Sequence, residues 1–467
     1  MHKILKENSQ SISNILSQII LNGTNFAMIV LFTHFLNPDD YGIVSLYLAY
    51  TLFVSTFIGL KVDGSINIAM THLEREKQTR YLTSILVLSL ISFVVTYCIT
   101  VYFAESIEIF TGFNRKLIII LLIHSFGQTC FSFCSIYYIF TRQAEKNLKL
   151  SFFIAVSMIC LSYLGIYWNC FDIEDYMVRI LSIAIPYMLC IIFTCYHFLN
   201  FRITYRIIKE SILFCLPISI PLIFHGFSHI ILAQTDKIML QKILYDNATV
   251  GIYSFITTFT HVINTIAIAL NNTWVPIFYA LLKSSDYKTI IKRSKNYGDI
   301  FLVLFLGFLM VSPEVVYLLA DKKYWNGLNI FPILALSIYI VFLYFFPVNY
   351  ELYKKKSKIV AVGTMGAALL NIVFNYYFIP KYGMLGAAIA TLLSYLGLLG
   401  FHIYMSKKVI QGLFPYTSSF FMKYIGIAIC GCCIYYGILQ YSYIRWIIAV
   451  LLLIKLINTI KVNKKIF

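Results

Sequence analysis

Charge is scarce in this chain. Asp, Glu, Lys and Arg make up 12% of its 467 residues, about half the share that soluble domains carry. Beside a hydrophobic share of 60%, that scarcity excludes a soluble globular protein. Glycine and proline, at 22 and 10 residues, are too few for a collagen-like chain, and the polar content is too low for a disordered one. Cysteine numbers 11 but falls almost wholly inside apolar runs, where it reads as a small hydrophobe rather than a disulfide framework. Cys430, Cys432 and Cys433 have no nearby histidine or carboxylate to complete a zinc shell. No phosphate-binding loop, nucleotide-binding domain or catalytic triad is legible, so neither an enzyme nor direct ATP drive is expected, and no bound cofactor.

What is abundant is the long apolar run. About 14 such runs succeed one another, from roughly 11–35 to roughly 443–461, each near the ~20 residues that cross a bilayer as a helix. They consume roughly 280 residues and leave about 12 for each loop or tail, too little for a folded soluble domain. The first run lacks a small-residue cleavage pattern and reads as a span, not a signal peptide. Hydrocarbon requires each segment to satisfy its own backbone polar groups, and the runs lack the two-residue alternation of barrel strands. The expected fold is an all-α polytopic membrane protein.

Orientation follows from the 37 basic residues. The N-terminus, the even-numbered loops and the C-terminus hold 28 of them, including Lys354, Lys355, Lys356 and Lys358, and the odd-numbered loops hold 9. By the positive-inside rule both termini are expected in the cytoplasm. The net charge of +17 is then explained by topology and anionic lipid, without nucleic acid. Trp168, Trp325 and Trp446 fall beside outer loops and Trp274 near an inner one, as an aromatic belt would place them.

Tyr41-Gly42-Ile43-Val44-Ser45 recurs as Val250-Gly251-Ile252-Tyr253-Ser254, 209 positions later, and the same shift carries spans two, four, five and six nearly onto eight, ten, eleven and twelve. The expected organisation is a six-helix lobe at 1–208, a second at 209–410, and two further helices at 411–467, with the lobes related by an axis along the membrane normal and enclosing a central cavity.

Polar stripes on helices point to that cavity. Asn14, Gln18, Asn22 and Asn25 fall within an arc of roughly 80° on span one. His225, His229 and Asp236 share an arc of roughly 40° on span seven, which Pro217 and Pro221 are expected to interrupt. Thr257, His261, Asn264 and Asn271 line span eight. Interhelical hydrogen bonding is the plainer explanation for any one of these residues. Lys61 and Asp63 close span two, Arg142 closes span four, and Lys237 follows Asp236. Ionisable groups at membrane depth are functional candidates, with snorkelling and a local Asp236–Lys237 pair as the alternatives.

Phe35-Leu36-Asn37-Pro38-Asp39-Asp40-Tyr41-Gly42 resembles the loop after the first helix of the polysaccharide biosynthesis proteins, the Wzx-type O-antigen flippases of the multidrug/oligosaccharidyl-lipid/polysaccharide exporter superfamily. Asp236 to Leu240 with Val250 to Tyr253 is similar to that family's seventh-helix signature, and Asn371 to Thr391 reads like the family pattern almost throughout. In that last segment Gly383 and Gly386 permit a tight turn and close helix approach and Pro380 ends a helix, so the motif reads as a family marker rather than a substrate site.

The resemblance implies a flippase of the bacterial inner membrane, carrying an undecaprenyl-diphosphate-linked oligosaccharide repeat unit from inner to outer leaflet by alternating access. It also implies contact with membrane lipids and with the pathway's polymerase and chain-length regulator, while coupling to a proton gradient, a sodium gradient or the membrane potential stays open. For such a substrate Lys61, Arg142 and Lys237 are candidates for the diphosphate. Asn14, Gln18, Asn22, Asn25, His225, His229, His261 and Asn264 are candidates for the cavity lining, and Asp236 for the coupling site. A drug or cation antiporter of the same superfamily would share the fold. An O-antigen polymerase or ligase would carry a large outer loop, whereas the longest outer loop expected here is the short segment at Asp172 to Asp175.

Overall fold

The computed structural model describes residues 2–168, 174–199, 204–409 and 413–462. Of the expected outer loop at Asp172 to Asp175, the first two residues lie outside the described ones and Asp175 opens a helix. The regular elements are α1 (His2–Phe35), α2 (Pro38–Gly59), α3 (Ile66–His72), α4 (Arg75–Tyr102), α5 (Ala104–Thr111), α6 (Arg115–Phe140), α7 (Ala144–Trp168), α8 (Asp175–Phe198), α9 (Tyr205–Leu244), α10 (Asn247–Lys283), α11 (Tyr287–Leu319), α12 (Phe331–Tyr353), α13 (Ser357–Tyr382), α14 (Met384–Tyr404), α15 (Ser418–Ile438) and α16 (Ser442–Val462). Short 3-10 turns at Val62–Ser65 and Lys322–Asn329 join them.

Among the described residues 14 helices are long and apolar enough to cross a membrane, all except the short α3 and α5. The all-α polytopic architecture is therefore what the apolar runs dictate. Two helices outrun the bilayer: α9 has 40 residues and α10 has 37, roughly 60 and 55 Å at 1.5 Å per residue against a core of about 30 Å. Pro217 and Pro221 were expected to interrupt α9, yet the helix continues through both. Each proline removes one backbone donor, and the surrounding turns hold the helix together.

The chain divides into two compact units, Met1–Leu36 with Ile43–Ile230, and Asn37–Gly42 with Ile231–Phe467. The boundary falls inside α9. The boundary at 208/209 was drawn from the repeat rather than from contacts, and the one at 410/411 lies outside the described residues. In the first unit a core of Val62, Ile66, Tyr81, Ile85, Phe133 and Cys134 gathers α3, α4 and α6.

In the second unit α12 is the central helix, burying Phe331, Ala335, Tyr339, Leu343 and Glu351 among its neighbours. Apolar burial does not drive helices together in lipid, so close packing and polar contacts must do so. The α13–α14 pair uses small residues for this purpose. Ala367, Ala368, Ala387, Ala388 and Ala390 are buried, and a Cβ on Gly386 would collide with the Phe378 carbonyl. Gly383 makes the tight turn between them at φ +57°. The repeat glycines meet within the same unit, where a Cβ on Gly42 would strike the Asn247 carbonyl and one on Gly251 the Pro38 carbonyl.

Trp274 corrects the aromatic-belt expectation. It is 2% exposed, with ring centroids 5.5 Å from Phe278 and 5.1 Å from Tyr297, so it packs the unit's interior instead of anchoring an interface. Trp446 is exposed, and Trp325 lies against Tyr317 with Nε1 donating to the Ala320 carbonyl.

Candidate functional site

The most elaborate polar constellation among the described residues centres on Asp236, a carboxylate 5% exposed in α9. Four side chains from three other helices donate to it. Asn371 Nδ2 and Asn375 Nδ2 of α13 lie 3.0 and 2.7 Å from Oδ1. Tyr253 Oη of α10 lies 2.7 Å from Oδ2, and Thr391 Oγ1 of α14 also donates to Oδ2.

Local rules explain the convergence. Asn371 and Asn375 are four apart and so share one helix face, and Asn375 Nδ2 also reaches Asn371 Oδ1 at 3.0 Å. The small-residue packing of α14 on α13 brings Thr391 to the same point. A bare carboxylate in this position would cost several kcal/mol, and each charge-assisted bond returns about 1.5–3 kcal/mol. One acceptor is left over, because Asn375 Oδ1 is buried with no partner among the described residues. If the amides turn, the constellation offers a carboxylate, carboxamide oxygens and hydroxyl oxygens to a small cation.

The segment Asn371 to Thr391 therefore does more than mark a family, since three of its residues converge on the candidate coupling aspartate. Lys237 is half-buried and makes no ion pair with Asp236 among those the structure records. Successive residues on a helix point about 100° apart, and no direct contact between the two side chains is recorded.

The remaining candidates are distributed between the units. In the first, Lys61 is half-buried in the left-handed conformation, φ 49° and ψ 31°. Its carbonyl accepts from Ser219 Oγ at 3.2 Å. Its stem runs along α9, with Cε 3.2 Å from where a Gly226 Cβ would sit, beside His225. Asp63 is occupied by Ser132, whose Oγ donates at 2.6 Å. Arg142 is exposed, also left-handed at φ 58°, and its carbonyl accepts from Gln10 Nε2 at 2.7 Å. On α1, Gln18 and Asn22 are uncovered by protein of their own unit, Asn25 is half-buried, and Asn14 Oδ1 accepts from Asn147 Nδ2 at 3.3 Å. His225 and His229 are exposed neighbours with ring centroids 6.1 Å apart. In the second unit His261 is exposed and Asn264 half-buried, while Asn271 Oδ1 accepts from the buried Asn349 at 2.8 Å.

Two acidic sites escape sequence reasoning. Glu351 and His402, both 0% exposed, pair at 2.7 Å between Oε2 and Nδ1, and Ser406 Oγ donates to Glu351 Oε1 at 3.1 Å. Gly363 leaves room for the imidazole, since a Cβ there would collide with Nε2. The second is a bidentate pair in which Arg445 Nη2 and Nη1 each lie 2.7 Å from a Glu314 carboxylate oxygen, tying α16 to α11. The available signal for Glu314 was a lone acid inside an apolar run, whereas Glu351 stands at the end of its run, just before the lysines.

Comparison with known proteins places this architecture. The family model described as Polysaccharide biosynthesis protein matches residues 9–282. The structure of the lipid II flippase MurJ in an inward closed conformation superposes with a TM-score of 0.71 at 14% identity, covering 99% of this chain and 99% of that one. Inward-facing and outward-facing structures of a MATE family multidrug resistance transporter of the MOP superfamily give TM-scores of 0.57 and 0.54 at 14% identity, covering 86% and 85% of this chain and 96% and 93% of theirs. A search of curated sequences finds no match.

Proposed function

Because this chain belongs to the polysaccharide biosynthesis protein family, we propose that it is a flippase that carries an undecaprenyl-diphosphate-linked oligosaccharide across a bacterial cytoplasmic membrane, from inner to outer leaflet, by alternating access. The observation that carries this reading over drug export is the extent of the likeness. The lipid II flippase fold accounts for 99% of the chain at TM-score 0.71, while the multidrug transporter fold accounts for 86% at 0.57.

A diphosphate bearing sugars needs cations for phosphate and amides for hydroxyls, because neither group enters hydrocarbon unaided. Lys61, Arg142 and Lys237 are assigned to the diphosphate. Gln18, Asn22, Asn25, His225, His229, His261 and Asn264 are assigned to the glycan path. Asn14 belongs there more weakly, since Asn147 already binds it. Asp236 is assigned to coupling: a proton or sodium ion exchanges at its carboxylate, and the donors that hold the empty anion must rearrange as the ion arrives. Both termini are assigned to the cytoplasm. Of the nine basic residues counted on the opposite side, Arg179 and Arg445 are buried side chains and not loop charges, which sharpens the asymmetry.

Expression in a strain lacking its O-antigen flippase, at matched membrane levels, tests the proposal. Restored surface glycan, together with binding of radiolabelled lipid-linked glycan in preference to a cationic dye, is expected. Dye extrusion without glycan rescue would assign the chain to the antiporters.

A further inference from the structure

The first unit carries an apolar groove that the transport reading does not use. It measures about 710 Å³ and lies between the first turns of α7 and the last turns of α8, with the end of α6 behind it. Its size falls within the ~300–1,000 Å³ typical of small-molecule sites. Leu150, Phe153, Leu189, Ile192 and Phe193 form its walls. Ile192 is 69% exposed, so none of the described residues covers that wall. Both helices are membrane spans, and a groove of this composition opening between them fills with acyl chain in a bilayer.

One end of the groove is different. Lys146, Lys149, His197, Tyr138 and Tyr196 gather there, where all three helices meet the membrane surface. Lys146 lies 5.8 Å above the Tyr138 ring, and His197 stacks on Phe193 at 5.7 Å. Among the described residues the one acid recorded against these cations is Glu145, 2.8 Å from Lys149, so the described cluster retains positive charge. A second apolar groove, between α10, α11 and α16, is lined without any charged residue among the described residues.

We infer that the α7–α8 groove is a binding site for an anionic phospholipid, its chains along Leu150, Phe153, Leu189, Ile192 and Phe193 and its phosphate against Lys146 and Lys149. Among the described residues the lining contains no Asn, Gln, Asp or Glu, so a glycan-bearing lipid would find no amide or carboxylate partners there for its hydroxyls, whereas a simple phosphate headgroup is matched by the lysines and tyrosine hydroxyls. This site is independent of what the protein transports.

The test uses the full chain purified in detergent, with phosphatidylglycerol and phosphatidylcholine of identical acyl chains titrated by native mass spectrometry. Phosphatidylglycerol should bind more tightly, and the double variant Lys146→Gln with Lys149→Gln should weaken it roughly thirtyfold, the size expected of two lysines at an anionic headgroup, while phosphatidylcholine binding stays unchanged. Phosphatidylglycerol with a photoreactive acyl chain should crosslink to α7 and α8, and Ile192→Trp should abolish that crosslink. A thermal melt unchanged from the parent shows that each variant folds, and Lys146→Arg with Lys149→Arg should restore binding. Equal affinity for the two lipids, crosslinks confined to other helices, or displacement by undecaprenyl phosphate at lower concentration than by phosphatidylglycerol would each overturn the assignment.

Discussion

In the first unit the candidate cations Lys61 and Arg142 stand at helix ends, half-buried and exposed, on backbone turned to positive φ. In the second unit acids are taken inside: Asp236 and Glu351 are buried, and each is bound on both carboxylate oxygens by named donors. The difference separates two uses of charge at membrane depth. A cation at a span end can reach water along its own stem and costs the fold little. An acid in the interior must be matched atom by atom, so its removal disturbs the fold as well as any ion it binds.

The largest effect should come from Asp236. Asp236→Asn keeps the shape but turns one acceptor into a donor facing Tyr253 and Thr391, and transport should fall by at least roughly tenfold, the size of one lost charge-assisted bond. Asp236→Ala should also destabilise by about 1–3 kcal/mol for each donor left without an acceptor. Vesicle transport against imposed sodium and proton gradients, with thermal melts alongside, reads both. Full gradient-driven transport by Asp236→Asn would remove this residue from coupling.

Next comes Glu351 with His402. His402→Ala leaves the buried Glu351 carboxyl without its hydrogen-bond partner and should cost about 1–3 kcal/mol, whereas Glu351→Gln combined with His402→Gln replaces both groups by amides that can bond each other and should recover part of that loss. Melting temperatures of the purified variants decide this. If the double variant melts no higher than His402→Ala, the two residues are not acting as a pair.

Smaller again are the effects of the first unit's cations, and here stability and transport should move in opposite directions. Lys61→Gly and Arg142→Gly relieve left-handed backbone and should raise stability by up to about 1 kcal/mol. Each should nevertheless lower surface glycan several-fold, as loss of a solvent-screened phosphate contact of about 1 kcal/mol would. Undiminished glycan in both variants would reduce these residues to snorkelling anchors.

The same contrast explains what was legible in the sequence. Spans are legible because hydrocarbon imposes a length and a composition on every one of them, and the repeat glycines are legible because backbone meets backbone there. Asp236 stood out as an acid inside an apolar run. Its partners did not, because Asn371, Asn375 and Thr391 lie 135 to 155 positions away, and a four-residue spacing tells which face they share but not what that face meets. Glu351 was hidden by the lysine run that follows it, which makes it read as a loop acid, and its partner His402 is 51 positions distant. Trp274 was misplaced because nearness to a loop along the chain says nothing about which way a ring points.

The smallest expected effect concerns an acid outside the membrane altogether. Asp286 caps the start of α11, accepting from the Thr289 backbone N–H at 3.0 Å. The Thr289 hydroxyl and then its N–H hold the carboxyl below the ordinary value of 3.8. A carboxyl depressed on folding contributes stability that is fully present above its unfolded value and is lost as pH falls through the folded one. Asp286→Asn keeps a capping oxygen but not the charge, so wild type should melt higher than this variant at pH 7, and the gap should close as pH falls below about 4. Because the group is at the surface, high salt should narrow the gap at pH 7 as well. A gap of the same size at pH 3 and pH 7 would mean that the ionised carboxylate is not what holds the cap.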